Sequence, residues 1–267
     1  MRFRRLCLAI APVLLMVISL VACGGGANKK VTIGVKFDQP GLGMKNPDGS
    51  VTGFDVDVAR FVAQQLGYKP DDIEWMEAPS GQRENLIQND QVKYIVATYS
   101  ITPERQQKVA FAGPYFQTGQ SLLVRSDNTD IAGPESLQNN KKLCSVAGST
   151  PAQRIKDNYP GVQLQQYDTY AACVEALKNG AIDAVTTDAV ILAGYAAQSP
   201  GTMKLVGQPF STELYGVGLS KNDNALRAQV NDALQKMIDG GLWKAAFEKN
   251  LGSSGYPLPA PPQINRS

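Results

Sequence analysis

Tyr99-Ser100-Ile101-Thr102-Pro103-Glu104-Arg105 stands between the β-prone run 94–98 and the phrase Phe111-Ala112-Gly113-Pro114-Tyr115. The spacing predicts a strand that runs directly into a helix, with Thr102 as the N-cap and Pro103 at the first helical position. Arg105 then falls in the first turn. A helix N-terminus with free N–H groups favours an anion, and the planar guanidinium beside it matches a carboxylate at two points. Taken alone, the motif is better served by a plain cap and a surface ion pair. Its neighbours on both sides decide the matter.

Upstream, residues 31–35 read as a first strand ending at Lys36, and Asp48-Gly49 reads as a hairpin turn. Gly53-Phe54-Asp55 leads into a helix with Phe54, Val58, Phe61, Val62 and Leu66 on one face, Asp55 being the expected N-cap. A second strand is expected at 73–76, and Ser80-Gly81-Gln82-Arg83 opens the next helix. Downstream, 121–124 and 143–146 read as strands, and Gly148-Ser149-Thr150-Pro151 repeats the cap-and-proline device with Gln153 completing a capping box. Thr169 caps a helix that stops at Gly180. A strand at 184–186 precedes a helix over 189–198 capped by Asp188, followed by a strand at 214–219 and helices over 225–239 and 242–249. The proline-rich tail, 253–267, is expected to be extended and to take no part in the fold.

Strand and helix alternate throughout, which implies parallel sheets flanked by helices, with ligands beyond the carboxyl ends of the strands. The fold class is therefore α/β, in two doubly wound lobes. Lobe 1 is discontinuous, 31–120 and 217–252, and lobe 2 is 121–216. Two connecting strands, near 120–124 and 212–218, form a hinge over a cleft that a small ligand can close.

The first 22 residues carry Arg2, Arg4 and Arg5, an apolar run from 6 to 21, and an Ala22-Cys23 junction followed by three glycines. This reads as a secretory leader whose junction resembles a lipobox, so Cys23 becomes the lipidated first residue of the mature chain and 23–30 a tether. An uncleaved anchor helix is the alternative; both place the body outside the cytoplasm. Removing the leader takes three of 26 basic residues and none of 24 acidic ones, so the net charge moves from +2 to 23 − 24 = −1. A nearly neutral body without Lys/Arg runs offers no face for nucleic acid. The absence of histidine excludes His-based acid–base chemistry, Ser-His-Asp triads and His-ligated metals. No cofactor or metal is expected. Cys144 and Cys173 are the pair left in the body, and an even pair in an exported chain reads as a disulfide. A redox couple or metal pair lacks a CxxC spacing or a third ligand.

Gathering the strand-end residues puts Lys36, Ser80, Arg83, Thr98, Ser100 and Arg105 on lobe 1 and Ser149, Thr150 and Asp188 on lobe 2. Their charges sum to +3 and −1. Arg105 and Asp188 suit the carboxylate and ammonium of an α-amino acid. Two leftover cations in a closing cleft call for a second carboxylate, so glutamate or aspartate fits better than glutamine. The plainer alternatives are an exposed strand-end lysine for Lys36 and a surface ion pair for Arg83.

The phrases Gly53-Phe54-Asp55-Val56-Asp57, 100–105, 111–115, Gly148-Ser149-Thr150 and Asp183-Ala184-Val185 resemble the polar amino-acid substrate-binding proteins of ABC importers, over about 31–252. In particular the chain resembles the glutamate-binding lipoproteins of Gram-positive bacteria, the cysteine pair included. The resemblance implies a type II periplasmic-binding-protein fold, a monomer delivering its ligand to membrane permease subunits, and a lipid anchor at Cys23. It implies that Arg105 grips the α-carboxylate with Ser100 and the backbone around Thr98. Asp188 takes the ammonium, Ser149 and Thr150 add donors, and Lys36, Ser80 and Arg83 meet the ligand side chain. Departures are the loop Gln39-Pro40-Gly41-Leu42-Gly43, where relatives carry an aromatic lid, and Lys93, where the family usually has an aspartate. Tyr167 or Tyr170 is the substitute for a histidine that some acidic-amino-acid binders use. Two other functions share the scaffold: a dehydratase, which needs a cleft acid or base beyond Asp188, and a sensor read by a membrane receptor.

Overall fold

The computed structural model describes residues 30–138 and 140–266; the leader, Cys23 and the tether before Lys30 lie outside them. From β1 (Val31–Val35) the chain enters a small antiparallel sheet of β2 (Asp38–Gln39), β3 (Gly43–Lys45) and β4 (Val51–Thr52), with Asp48-Gly49 in the last turn as expected. There follow α1 (Phe54–Gln65), β5 (Ile73–Glu77), α2 (Arg83–Gln88), β6 (Tyr94–Ile95), α3 (Pro103–Gln106) and β7 (Ala110–Thr118). The second group is β8 (Gln120–Arg125), β9 (Lys142–Val146), α4 (Thr150–Asn158), β10 (Gln163–Tyr167), α5 (Tyr170–Lys178), β11 (Ala184–Asp188), α6 (Ala189–Gln198) and β12 (Met203–Val206). The chain closes with β13 (Glu213–Leu219), α7 (Asn224–Asp239) and α8 (Leu242–Leu251).

The two large sheets have orders β5-β1-β6-β13-β7 and β10-β9-β11-β8-β12. Each has three parallel strands followed by an antiparallel one, β13 in the first and β8 in the second. Those two antiparallel strands are the ones the chain enters just after crossing between lobes. The crossings themselves are Gly119 and 207–212, so the expected lobe boundary at 216/217 moves back to Glu213, which already pairs with Thr118 in the first sheet. The sheets are mixed rather than wholly parallel for the same reason: a strand arriving from the other lobe enters from the opposite end.

Phe54 anchors the lobe 1 core, packing on Tyr115, Phe116, Trp243 and Phe247 with centroid separations of 5.4 to 6.3 Å. The tail departs from expectation. Tyr256 packs on Phe116 and shares a hydrogen bond with Thr118, Ile264 is buried, and the Asn265 N–H donates to the Gly113 carbonyl. An extended proline-rich strap thus covers lobe 1. In lobe 2, Cys144 of β9 and Cys173 of α5 are joined by a disulfide, as the even pair implied. No helix among the described residues is long and apolar enough to cross a membrane.

Candidate functional site

Between the lobes lies a tight cavity of about 10 Å³. Lobe 1 lines it with Gln39, Ser80, Arg83, Thr98, Ser100 and Arg105; lobe 2 contributes Ser149, Thr150, Pro151, Tyr170, Thr187, Asp188 and Ile191. Eight of the nine residues expected at the ligand therefore meet on its walls. The ninth, Lys36, is not on them. Its ammonium is fully buried 3.1 Å from Asp38 Oδ1, so neither the exposed-lysine reading nor direct lining describes it. Of the two tyrosines offered in place of a histidine, Tyr170 lines the cavity and Tyr167 does not.

Arg105 is delivered as the opening sequence motif predicts. Thr102 Oγ1 accepts the Arg105 N–H at 3.3 Å, and Pro103 occupies the first turn. The guanidinium lies over the Tyr99 ring, 4.9 Å from its centroid, and Nε is 3.3 Å from Glu84 Oε1. Nη1 donates to the Ser100 carbonyl and to Thr150 Oγ1, both at 2.9 Å, and Nη2 to the Gly148 carbonyl at 3.3 Å. One side chain thereby bridges both lobes.

Arg83 stands differently. It is buried, its Nε donates to the Ala78 carbonyl at 3.2 Å, and its guanidinium sits 5.1 Å from the centroid of the same Tyr99 ring. Among the described residues no carboxylate lies within ion-pair distance of it. Burial and then the neighbouring Arg105 push its pKa down, against a smaller upward pull from Tyr99 and Glu84.

Thr98 adopts φ +46°, a left-handed backbone that a β-branched residue holds only when its surroundings fix it. The fixing group is Asp55. Its Oδ2 accepts the Thr98 N–H at 2.7 Å and its Oδ1 the Tyr115 hydroxyl at 2.8 Å, while burial raises its pKa to about 7. Asp55 is thus not the N-cap of α1; Gly53 holds that position, with φ 134°. The cap expectation failed because Asp55 lies one residue inside the helix and faces the core. On the opposite wall Ser149 caps α4 through Ala152 N–H at 3.1 Å, whereas Gln153 binds Asp157 rather than completing a capping box. Asp188 occupies the N-cap position of α6 without capping it. Its Oδ2 accepts the Tyr215 hydroxyl at 2.5 Å, and its Oδ1 is buried with no hydrogen-bond partner. Thr187 Oγ1 is likewise buried and unpartnered. Burial, then Glu213, pushes the Asp188 carboxyl well above the usual carboxylate range.

The formal charge count changes accordingly. The charged lining is Arg83, Arg105 and Asp188, or +2 − 1 = +1. Lys36 is taken up by Asp38, and Glu84 stands against Arg105, leaving Arg83 as the uncompensated cation. Gln39, Asp55, Glu84, Thr187 and Tyr215 escaped the sequence reading. Thr187 alone carried a usable signal, being adjacent to Asp188 at the end of its strand. Lys93 pairs with Asp223 at 3.1 Å, away from the cavity lining.

Residues 31–253 match the model for bacterial extracellular solute-binding proteins, family 3. The chain belongs to that family. This solute-binding protein is 49% identical over 269 residues to a glutamate-binding protein of Corynebacterium efficiens, covering 94% of the chain and 92% of the relative. It is 37% identical to an ABC transporter glutamine-binding protein of Bacillus subtilis, over 83% and 81% of the two chains. Among solved structures it is similar to an ancestral arginine-binding protein bound to glutamine. The TM-score is 0.78 at 32% identity, covering 84% of this chain and 98% of that one. The two-lobe α/β architecture of the family 3 protein is the type II fold of amino-acid-binding proteins.

Proposed function

We propose that this solute-binding protein captures an acidic amino acid, glutamate or aspartate, by closing its two lobes and hands it to ABC permease subunits, acting as a lipid-anchored monomer tethered through Cys23. The observation that carries the acidic preference is Arg83: a buried guanidinium on the cavity wall with no carboxylate of its own. Leaving such a cation unmatched in a closed cleft is costly, and a ligand side-chain carboxylate relieves it. The opposite polarity of the two walls sets the orientation. Arg105 on lobe 1 takes the α-carboxylate, and the free Oδ1 of Asp188 on lobe 2 takes the α-ammonium.

Binding without chemistry suits these groups. The one cavity carboxylate is committed to an ammonium, and no histidine is available as an acid or base. Names of relatives support both glutamate and glutamine as ligands. Calorimetry across glutamate, aspartate, glutamine and asparagine tests the reading. Arg105→Ala should abolish measurable glutamate binding, and undiminished heat would remove the central assignment. Arg83→Gln should weaken glutamate by about 2–4 kcal/mol and glutamine far less, since only the former loses a charged hydrogen bond. Equal losses would leave the acidic preference without support.

A further inference from the structure

The loop leaving β1 joins the lobes through a second junction that uses none of the Arg105 contacts. Asp38 of lobe 1 reaches the first turn of α5 in lobe 2, where its Oδ2 accepts the Tyr170 N–H at 2.9 Å and the Ala171 N–H at 3.5 Å. The Tyr195 hydroxyl of α6 donates to the Asp38 carbonyl. Two residues on, the Pro40 carbonyl faces Gly194, where an added β-carbon would lie 2.3 Å from that oxygen. All three atoms nearest to such a carbon belong to Pro40, so the clash would exist only while the lobes are together.

Asp38 has a second duty. Its Oδ1 faces the fully buried Lys36 ammonium at 3.1 Å, and neither atom makes a hydrogen bond elsewhere. A carboxylate shared between a buried cation and a helix N-terminus is held by both charges. The consequence reaches the ligand through Tyr170, the first residue of α5, which lines the cavity from lobe 2 as Arg83 does from lobe 1.

Resting on the amino-acid-binding reading, we infer that Asp38 is a positioning residue for ligand recognition: it ties Lys36 to the N-terminus of α5, seats Tyr170 on the cavity wall and holds the lobes closed. Closure held at two junctions costs the ligand less, and loss of one lowers the population competent to bind tightly.

Three variants test this by glutamate calorimetry, thermal melting and small-angle X-ray scattering at saturating glutamate. Asp38→Asn combined with Lys36→Met removes the junction without stranding a buried ammonium. It should keep the wild-type melting temperature of the free protein yet weaken glutamate about tenfold, with a larger radius of gyration. Asp38→Asn alone should also lower the melting temperature. Gly194→Ala improves the propensity of α6 but places a methyl against Pro40, so it should weaken glutamate by about a hundredfold and hold the lobes apart. Wild-type affinity and wild-type scattering in the double variant and in Gly194→Ala would overturn the inference. Should the wild-type protein bind none of the four amino acids, the ligand reading falls. The junction is then judged by scattering alone, where equal radii for wild type and Gly194→Ala overturn it.

Discussion

Asp188 ends β11 with one oxygen on the Tyr215 hydroxyl and the other unpartnered, and burial holds its carboxyl well above the usual carboxylate range in the free protein. A ligand ammonium at Oδ1 favours the ionised form. Binding must then displace a proton wherever the free group is still protonated, so affinity rises with pH until the free-state pKa is passed and levels off above it. Glutamate titrations between about pH 5.5 and 8 lie above the ligand's own side-chain pKa of about 4.3. They should show tighter binding toward high pH and heats that depend on buffer ionisation. Asp188→Asn should bind weakly with a flat profile; a wild-type slope in that variant would place the titrating group elsewhere. The identity of Asp188 was legible in sequence because a helix-cap position at a strand end advertises it. The roles of Lys36 and Asp55 were not: that of Asp55 depends on Thr98, 43 residues away, and that of Lys36 on a burial beside Asp38 that only the packed fold creates.

The elements most visible in the sequence were those whose signals are local. Helices α5 and α7 start with hydroxyl or carboxylate caps, Thr169 on Ala172 and Asp223 on Leu226. Strands β10 and β12 were missed. Gln163–Tyr167 is polar and Met203–Val206 is short, and both lie on the edges of the second sheet, where one side needs no partner strand. The tail was misjudged because proline-rich composition says nothing about what a strap can cover. Its docking is specific: Asn231 of α7 donates to the Asn265 carbonyl and accepts from Gly113 N–H, while Tyr256 and Ile264 bury apolar surface on lobe 1. Deleting residues 256–267 should cost about 2–4 kcal/mol of stability from lost apolar burial and hydrogen bonds. Urea denaturation measures this. An unchanged midpoint would mean the strap contributes nothing.

At the scale of the molecule, each lobe has its own sheet, and the covalent staple belongs to one of them. The 29-residue separation between Cys144 and Cys173 lies wholly within lobe 2, joining β9 of its sheet to α5. Closing a loop of that length restricts the unfolded chain, an effect worth about 3–4 kcal/mol on the chain-entropy view. Only lobe 2 gains, because lobe 1 has no cross-link among the described residues and the chain passes between lobes at just Gly119 and 207–212. In the Cys144→Ser/Cys173→Ser protein without ligand, amide protection should therefore fall across β8, β9, β11 and α5 and stay near wild type in β1, β5 and α1. Bound glutamate should narrow the gap, since the closed form couples the lobes through Arg105 and Asp38, and anything that binds only the closed native state stabilises both halves at once. Hydrogen exchange with mass spectrometry reads both states in one experiment. Uniform loss of protection over the two lobes in the free variant would show that they unfold as one cooperative body, with the hinge too stiff to insulate them.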